Sequence, residues 1–362
     1  GKLPVWHLRG NETNTMPGYS GIPVVIDAAL KGFENIDLEK VYEAAKVSAT
    51  GDFEPGVKDL MQRGYIPADF MVESVASSME YAIGDWGIAQ LAKKLGKEED
   101  YEYFSNRSKA YKQYFDPETR FMRGKLSDGS WRTPFNPISA EHRVNDYCEG
   151  NAWQYLWLVP QDPEGLIKLL GGEQAYNEKL DELFSMSSEL GEEASMDITG
   201  LIGQYAHGNE PSHHTTYMYA YSGEHYKIAD KVRYINNELY SDEPDGLSGN
   251  EDCGQMSAWY IFSSIGFYPV NPSNGAYIFG SPLFDVVDIN IPGKKKFKVV
   301  AENNNDKNIY IQSVSLNGQD YKYSYITHKQ ILEGGELKFV MGPNPNKNFG
   351  KDKIYRPASI VY

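Results

Sequence analysis

Residues 72–95 read VESVASSMEYAIGDWGIAQLAKKL. Val75, Met79, Ala82, Ile83, Trp86, Ala89 and Leu91 recur at the three- and four-residue spacing of a helix face, and Gly96 follows as a C-cap. The reading extends outward from there. Residues 38–49 carry the same periodicity, and residues 101–115 predict another helix stopped by Asp116-Pro117. Further helices are predicted over 152–158, 163–170, 173–186, 212–221, 228–239 and 254–264. Near Tyr268-Pro269 the texture changes. Residues 284–291, 296–300 and 310–314 alternate as strands do, and Asn317-Gly318 is a hairpin signal. The expected fold class is therefore α+β. A helical region over 1–270, of the antiparallel-pair kind that builds an (α/α)6-type barrel, precedes an antiparallel β-sandwich region over 271–362. The helices visible are one or two short of six hairpins, so the barrel is expected to be incomplete at its start.

Composition narrows the function. The chain has 362 residues, 41% hydrophobic and 13% aromatic, enough for a sizeable core. Its formal net charge of −15 excludes a basic nucleic-acid footprint. No apolar run approaches the ~20 residues of a membrane span. The two cysteines, Cys148 and Cys253, form no CxxC pair, so the usual zinc spacings are missing. The 27 Tyr and 6 Trp suit stacking on sugar faces, although ordinary core packing uses the same residues.

Three segments hold more polar and aromatic residues than packing requires. Residues 146–155 read DYCEGNAWQY and place Glu149 just ahead of a helix start. A carboxylate there can do chemistry, or can simply complement the helix dipole. Residues 207–214 read HGNEPSHH. The Asn and Glu oxygens suit calcium, the imidazoles suit zinc, and a capped turn with structural histidines needs neither. Residues 249–259 read GNEDCGQMSAW, where Asp252 is either a reactive acid or an N-cap. The EF-hand spacing is absent, so that reading is rejected. Two carboxylates on separate loops, one protonated and one ionised, are what glycoside hydrolysis requires.

These segments resemble glycoside hydrolase family 92, the calcium-dependent inverting exo-α-mannosidases. The likeness also takes in DAALKG at 27–32, Glu80-Tyr81-Ala82 with Asp85-Trp86, GQYAHGNEPSHH at 203–214, IYIQS at 309–313 and Leu316-Asn317-Gly318. The resemblance implies Glu149 as general acid, Asp252 as base, and a Ca2+ site drawing on Asn209 and Glu210, with Asn236 or Asn237 as a further ligand. It also implies sugar contacts from Asn151, His207, Asn209, Glu210 and His213. The implied substrates are mannose-containing glycans, in a secreted or periplasmic setting whose signal is not in this chain. Family members carry an N-terminal β-sandwich that contributes to the mannose site, so a missing N-terminal domain is expected to complete it. Tyr19-Ser20 stands where a His-containing stretch is expected, and Cys148 where Thr is expected. The competing expectations are a non-catalytic glycan-binding fragment and another α/α-barrel carbohydrate enzyme.

Overall fold

The computed structural model describes residues 2–359. The chain forms two compact units. One comprises residues 1–162, 187–198 and 271–274, and the other 163–186, 199–270 and 275–362.

The first unit is built around the helix Ser74–Lys94, which packs against Gly21–Lys31, Leu38–Thr50 and Glu98–Arg107. The sequence predicts one apolar stripe on this helix, yet it is buried nearly all round. Small residues make that possible. A Cβ on Gly84 would lie 2.4 Å from the Tyr19 ring, and one on Gly87 would lie 3.1 Å from Ser273 Oγ. The surrounding core includes Tyr19, Ile22, Ile26, Tyr42, Tyr81 and Ile88. Gly96, at φ +73°, closes the helix in a Schellman pattern, with the Lys97 N–H donating to Ala92 O at 2.9 Å.

A buried ion pair lies at the middle of helix Ser74–Lys94, beside Tyr19 of the same core. Arg107 Nε donates to Asp85 Oδ2 at 2.6 Å, and the Tyr19 hydroxyl donates to Asp85 Oδ1. All three residues are buried. Removing either charge would strand the other, at a cost of about 3–5 kcal/mol. The single helix expected over 101–115 is instead divided into Glu98–Arg107, a 3-10 turn at Ala110–Gln113 and a strand residue pair Phe115–Asp116. Long-range bonds override the local periodicity here. The Tyr111 hydroxyl donates to Asp162 at 2.7 Å, and the Tyr114 hydroxyl accepts from the Ile66 N–H at 2.6 Å.

The second unit joins helices Pro163–Leu169, Glu173–Ser185, Lys227–Glu238 and Gln255–Ile265 to a strand-rich part. The helix expected over 212–221 is a 3-10 helix over Thr215–Tyr221. Its buried tyrosines are held by specific partners, Tyr217 by Ser263 and Tyr219 by Asp181, both at 2.8 Å. A five-stranded sheet runs in the order Gln319–Asp320, Tyr310–Leu316, Gly335–Gly342, Lys295–Glu302, Val286–Ile291. The strands Lys295–Glu302 and Gly335–Gly342 are parallel, so the sheet is mixed and not wholly antiparallel as expected. The long connection between them, which carries the intervening strands, makes that pairing possible. A three-stranded antiparallel sheet, Tyr325–Thr327, Ala276–Phe279 and Phe267–Tyr268, shares its core through Phe279 and Phe339, whose rings meet edge-on at 5.0 Å. Asn317-Gly318 forms the expected two-residue hairpin, with φ of +52° and +77°.

Candidate functional site

In the first unit, the stretch around Glu149 is pinned from both sides. Asp146 is buried, 3.4 Å from Arg132 Nε, and its carbonyl accepts from the Val75 and Ala76 N–H groups at 3.1 Å each. Burial raises its carboxyl pKa, against the pull of Arg132. The Tyr155 hydroxyl donates to Cys148 O at 2.8 Å. Asn151 opens the helix Ala152–Tyr155 with a capping box. Its Oδ1 accepts from the Trp153 N–H at 3.0 Å, and Gln154 Oε1 accepts from the Asn151 N–H at 2.9 Å. Between these clamps Glu149 sits at φ +48°, a left-handed conformation that non-glycine residues seldom adopt. Gly150 lets the chain pass close behind it, since a Cβ there would be 2.9 Å from both Gln154 Oε1 and the Tyr155 ring. Glu73, Glu80 and Glu149 all act electrostatically on the Cys148 thiol, which marks this corner as acidic.

In the second unit, the segments 199–214 and 247–259 are packed on each other. The hairpin of Leu201–Ile202 with Tyr205–Ala206 brings Gly208 back to Thr199, whose carbonyl accepts the Gly208 N–H at 3.0 Å. A Cβ on Gly208 would lie 1.9 Å from Thr199 Oγ1 and 2.9 Å from Ser248 O. A Cβ on Gly249 would lie 3.0 Å from Gly208 O. Only glycine permits this backbone-to-backbone approach, and it fixes the spacing between the loop carrying Glu210 and the loop carrying Asp252.

The histidines below these loops form a neutral network. The Tyr240 hydroxyl donates to Met256 O at 3.0 Å, so it accepts from His207 Nε2–H at 2.7 Å, and His207 Nδ1 accepts from the Tyr205 hydroxyl at 2.8 Å. His213 Nε2 donates to His207 O at 2.8 Å, and its Nδ1 accepts from Gln255 Nε2 at 3.0 Å. Trp259 Nε1 donates to His213 O at 2.9 Å. Burial drives both imidazole pKa values down, that of His213 to about 4. Asn209 starts the 3-10 turn Glu210–Ser212, its Oδ1 accepting from the Glu210 N–H at 3.1 Å. Glu210 raises the pKa of the Tyr268 hydroxyl, although burial contributes more to that shift.

The two adjacent acids of the 249–259 segment differ in what holds them. The Glu251 carboxylate accepts from the Ser257 N–H and the Ser257 hydroxyl, each at 3.0 Å, and so ties down the start of helix Gln255–Ile265. Asp252 makes no side-chain hydrogen bond among the described residues. It begins a run of three left-handed residues, Asp252 at φ +45°, Cys253 at +56° and Gly254 at +92°. The sequence expects an N-cap or a reactive acid at Asp252; the capping is done by its neighbour. Strain of this kind persists where the surroundings over-determine it, as functional loops do.

Residues missed by sequence reasoning include Gln255, Tyr240 and Thr199, which hold the histidines and loops. Tyr240 and Thr199 lie outside the quoted motifs, and only the fold brings them in. Glu73 and His142 also escape; both lie beside the Cys148 thiol, Glu73 from a distant point of the chain and His142 from just ahead of the quoted 146–155 segment.

Residues 1–343 match the glycosyl hydrolase family 92 catalytic domain. The chain is similar to the family GH92 α-mannosidase BT3965 from Bacteroides thetaiotaomicron, solved in complex with mannoimidazole. The two are 42% identical with a TM-score of 0.95, over 99% of this chain and 48% of that one. It is also similar to the family GH92 inverting mannosidase BT2199 from the same organism, at 33% identity and a TM-score of 0.88, over 99% of this chain and 50% of the other. Among curated proteins it matches an uncharacterized secreted glycosidase from Arthroderma benhamiae, 28% identical over 94% of this chain and 47% of that protein. The chain thus spans about half the length of the relatives it matches. With its whole length aligned to these structures and its motif segments folded into capped, glycine-spaced loops, the chain belongs to glycosyl hydrolase family 92.

Proposed function

We propose that the chain supplies the two catalytic carboxylates of an inverting, calcium-dependent exo-α-mannosidase acting on mannose-containing glycans. In this reading Glu149 is the general acid and Asp252 the general base. The observation that carries it is the backbone at these two acids. Each sits in the left-handed region ahead of a helix, Glu149 at φ +48° and Asp252 at +45°. The neighbouring acid Glu251 is engaged in capping, which leaves Asp252 as the acid of its loop. Glu149 would protonate the departing glycosidic oxygen, and Asp252 would take a proton from the attacking water. The mannoside specificity and inversion rest on likeness to relatives named as mannosidases, one of them as inverting. In the same reading the helices contribute to an (α/α)6-type barrel, and a secreted or periplasmic setting agrees with the match to a secreted glycosidase.

The donors of the second unit fit calcium better than zinc. Both ring nitrogens of His207 and of His213 are taken by protein partners, so we assign these residues to the frame of the site and not to sugar or metal contacts. The motif also offers oxygen donors of the kind calcium takes, in Glu210 and Asn209, and further along the sequence lies buried Asn236, whose Oδ1 and Nδ2 make no hydrogen bond. Calcium held by these residues would supply a grip on two sugar hydroxyls that favours a flattened ring. Asn151 has its side-chain oxygen in the helix cap, so its part is to hold Glu149 in place.

The test is made in the full-length enzyme. Glu149→Gln should slow turnover of poorly activated mannosides by about 10²–10⁴-fold and leave activated aryl mannosides far less affected, since only the former need protonation. Asp252→Asn should slow both classes. EDTA should abolish activity and calcium restore it. Equal loss on both substrate classes in Glu149→Gln would remove Glu149 from the acid role.

A further inference from the structure

We infer that Glu73, His142 and Cys148 form a binding site for a zinc-class divalent cation, chemically distinct from the oxygen donors assigned above to calcium. All three residues belong to the first unit. One carboxylate oxygen, one imidazole nitrogen and the Cys148 sulfur all lie within 4.8 Å of one another. Among the described residues no other group of three such side chains converges in this way.

The geometry is close to what a tetrahedral ion needs. His142 Nδ1 is 3.6 Å from Glu73 Oε1. Nitrogen and oxygen ligands at about 2.0–2.1 Å from zinc stand roughly 3.3 Å apart, so this pair needs to close by only a few tenths of an ångström. His142 Nδ1 is buried and has no hydrogen-bond partner, which is rare for a buried imidazole nitrogen that serves only structure. The Glu73 carboxylate is already oriented, its Oε1 accepting from the Arg143 N–H at 3.2 Å. The sulfur is also positioned, because the Tyr155 hydroxyl holds the Cys148 carbonyl at 2.8 Å. Cys148 is buried while Glu73 and His142 are half-buried, so an ion has a path in.

The alternative use of these groups, a thiol nucleophile with an imidazole base, fits less well. Burial first, and then the charges of Glu73, Glu149 and Glu80, push the Cys148 thiol pKa up, so it is not a nucleophile at neutral pH. The same negative surroundings favour a cation. Binding would release the thiol proton to solvent. One thiolate and one carboxylate then balance the two positive charges, and three protein ligands leave a fourth position for water. A thiolate–imidazole–carboxylate set selects zinc-class ions over calcium.

Cobalt(II) is the probe, added to the metal-stripped full chain. A thiolate-to-cobalt charge-transfer band should grow to one equivalent and be displaced by zinc but not by calcium. Cys148→Ser should abolish the band, and Cys253→Ser should leave it intact. His142→Ala, at a half-exposed position that tolerates change, should weaken cobalt binding by at least about tenfold. Far-ultraviolet circular dichroism of each variant checks that it is folded. Absence of the band, its survival in Cys148→Ser, or unchanged affinity in His142→Ala overturns the assignment.

Discussion

Gly208→Ala is the most informative single methyl in the second unit. The new Cβ would stand 1.9 Å from Thr199 Oγ1, 2.9 Å from Ser248 O and 3.1 Å from Thr199 Cβ. Two of these atoms sit on backbone or at a branched carbon, so the strain cannot be relieved by turning a flexible chain end. Overpacking of this severity costs about 1–3 kcal/mol, and we expect about 2. For a unit of this size that lowers Tm by about 4–8 °C. The damage should be specific, because the methyl drives the Glu210 loop away from the Asp252 loop. Turnover in the full-length enzyme should fall further than stability alone accounts for. Thr199→Ala supplies the control. Thr199 Oγ1 is buried without a hydrogen-bond partner, so its loss alone should cost little. In the double variant the 1.9 Å clash disappears but Ser248 O remains, so about 1 kcal/mol should be recovered. The assay is thermal and urea unfolding of the four proteins, with steady-state kinetics alongside. Additive effects of the two changes, or a Gly208→Ala variant as stable and active as the parent, would refute the close loop packing.

Two further outcomes follow from the same unit. Glu251→Gln weakens the tie to Ser257 and should cost about 1 kcal/mol of stability while retaining most activity, in contrast to Asp252→Asn; thermal melts with kinetics compare them. Acid should destabilise the fold through its buried histidines. His213 and His225 are each held at a pKa of about 4, principally by burial, against about 6.5 when unfolded. Between those values the unfolded chain binds more protons, so stability is full above pH ~6.5 and falls as pH drops toward ~4, by on the order of 3 kcal/mol per histidine. Tm measured across that range should decline, and His213→Gln, which can still donate to His207 O, should flatten part of the decline.

Much of this architecture is legible in the sequence where the signal is local. Asn317-Gly318 specifies its hairpin because both residues tolerate positive φ, and Gly96 stops its helix for the same reason. The three polar segments stand out because they exceed what packing needs. Non-local physics is what escapes. Ser and Gly on the back of helix Ser74–Lys94 read as a polar face until Tyr19 and Ser273 are seen against Gly84 and Gly87. The split after Arg107 follows from bonds to Asp85, Ile66 and Asp162, none of them near in sequence. Within Glu251-Asp252 the sequence presents two equivalent acids, and only the Ser257 contacts distinguish them. Likewise the partners of His207 and His213, among them Tyr205, Tyr240 and Gln255, cannot be read from the sequence and come from the fold. The parallel pairing of Lys295–Glu302 with Gly335–Gly342 leaves no mark in either strand's alternation.

The central claim is the proposal that Glu149 protonates the departing glycosidic oxygen while Asp252 activates the water that attacks the opposite face of the sugar. Proton NMR of the first mannose released by the full-length enzyme tests it most directly. The account predicts that β-mannose appears first and mutarotates to the equilibrium mixture afterwards. Initial α-mannose would mean a covalent glycosyl-enzyme intermediate, and would contradict the roles given to both carboxylates.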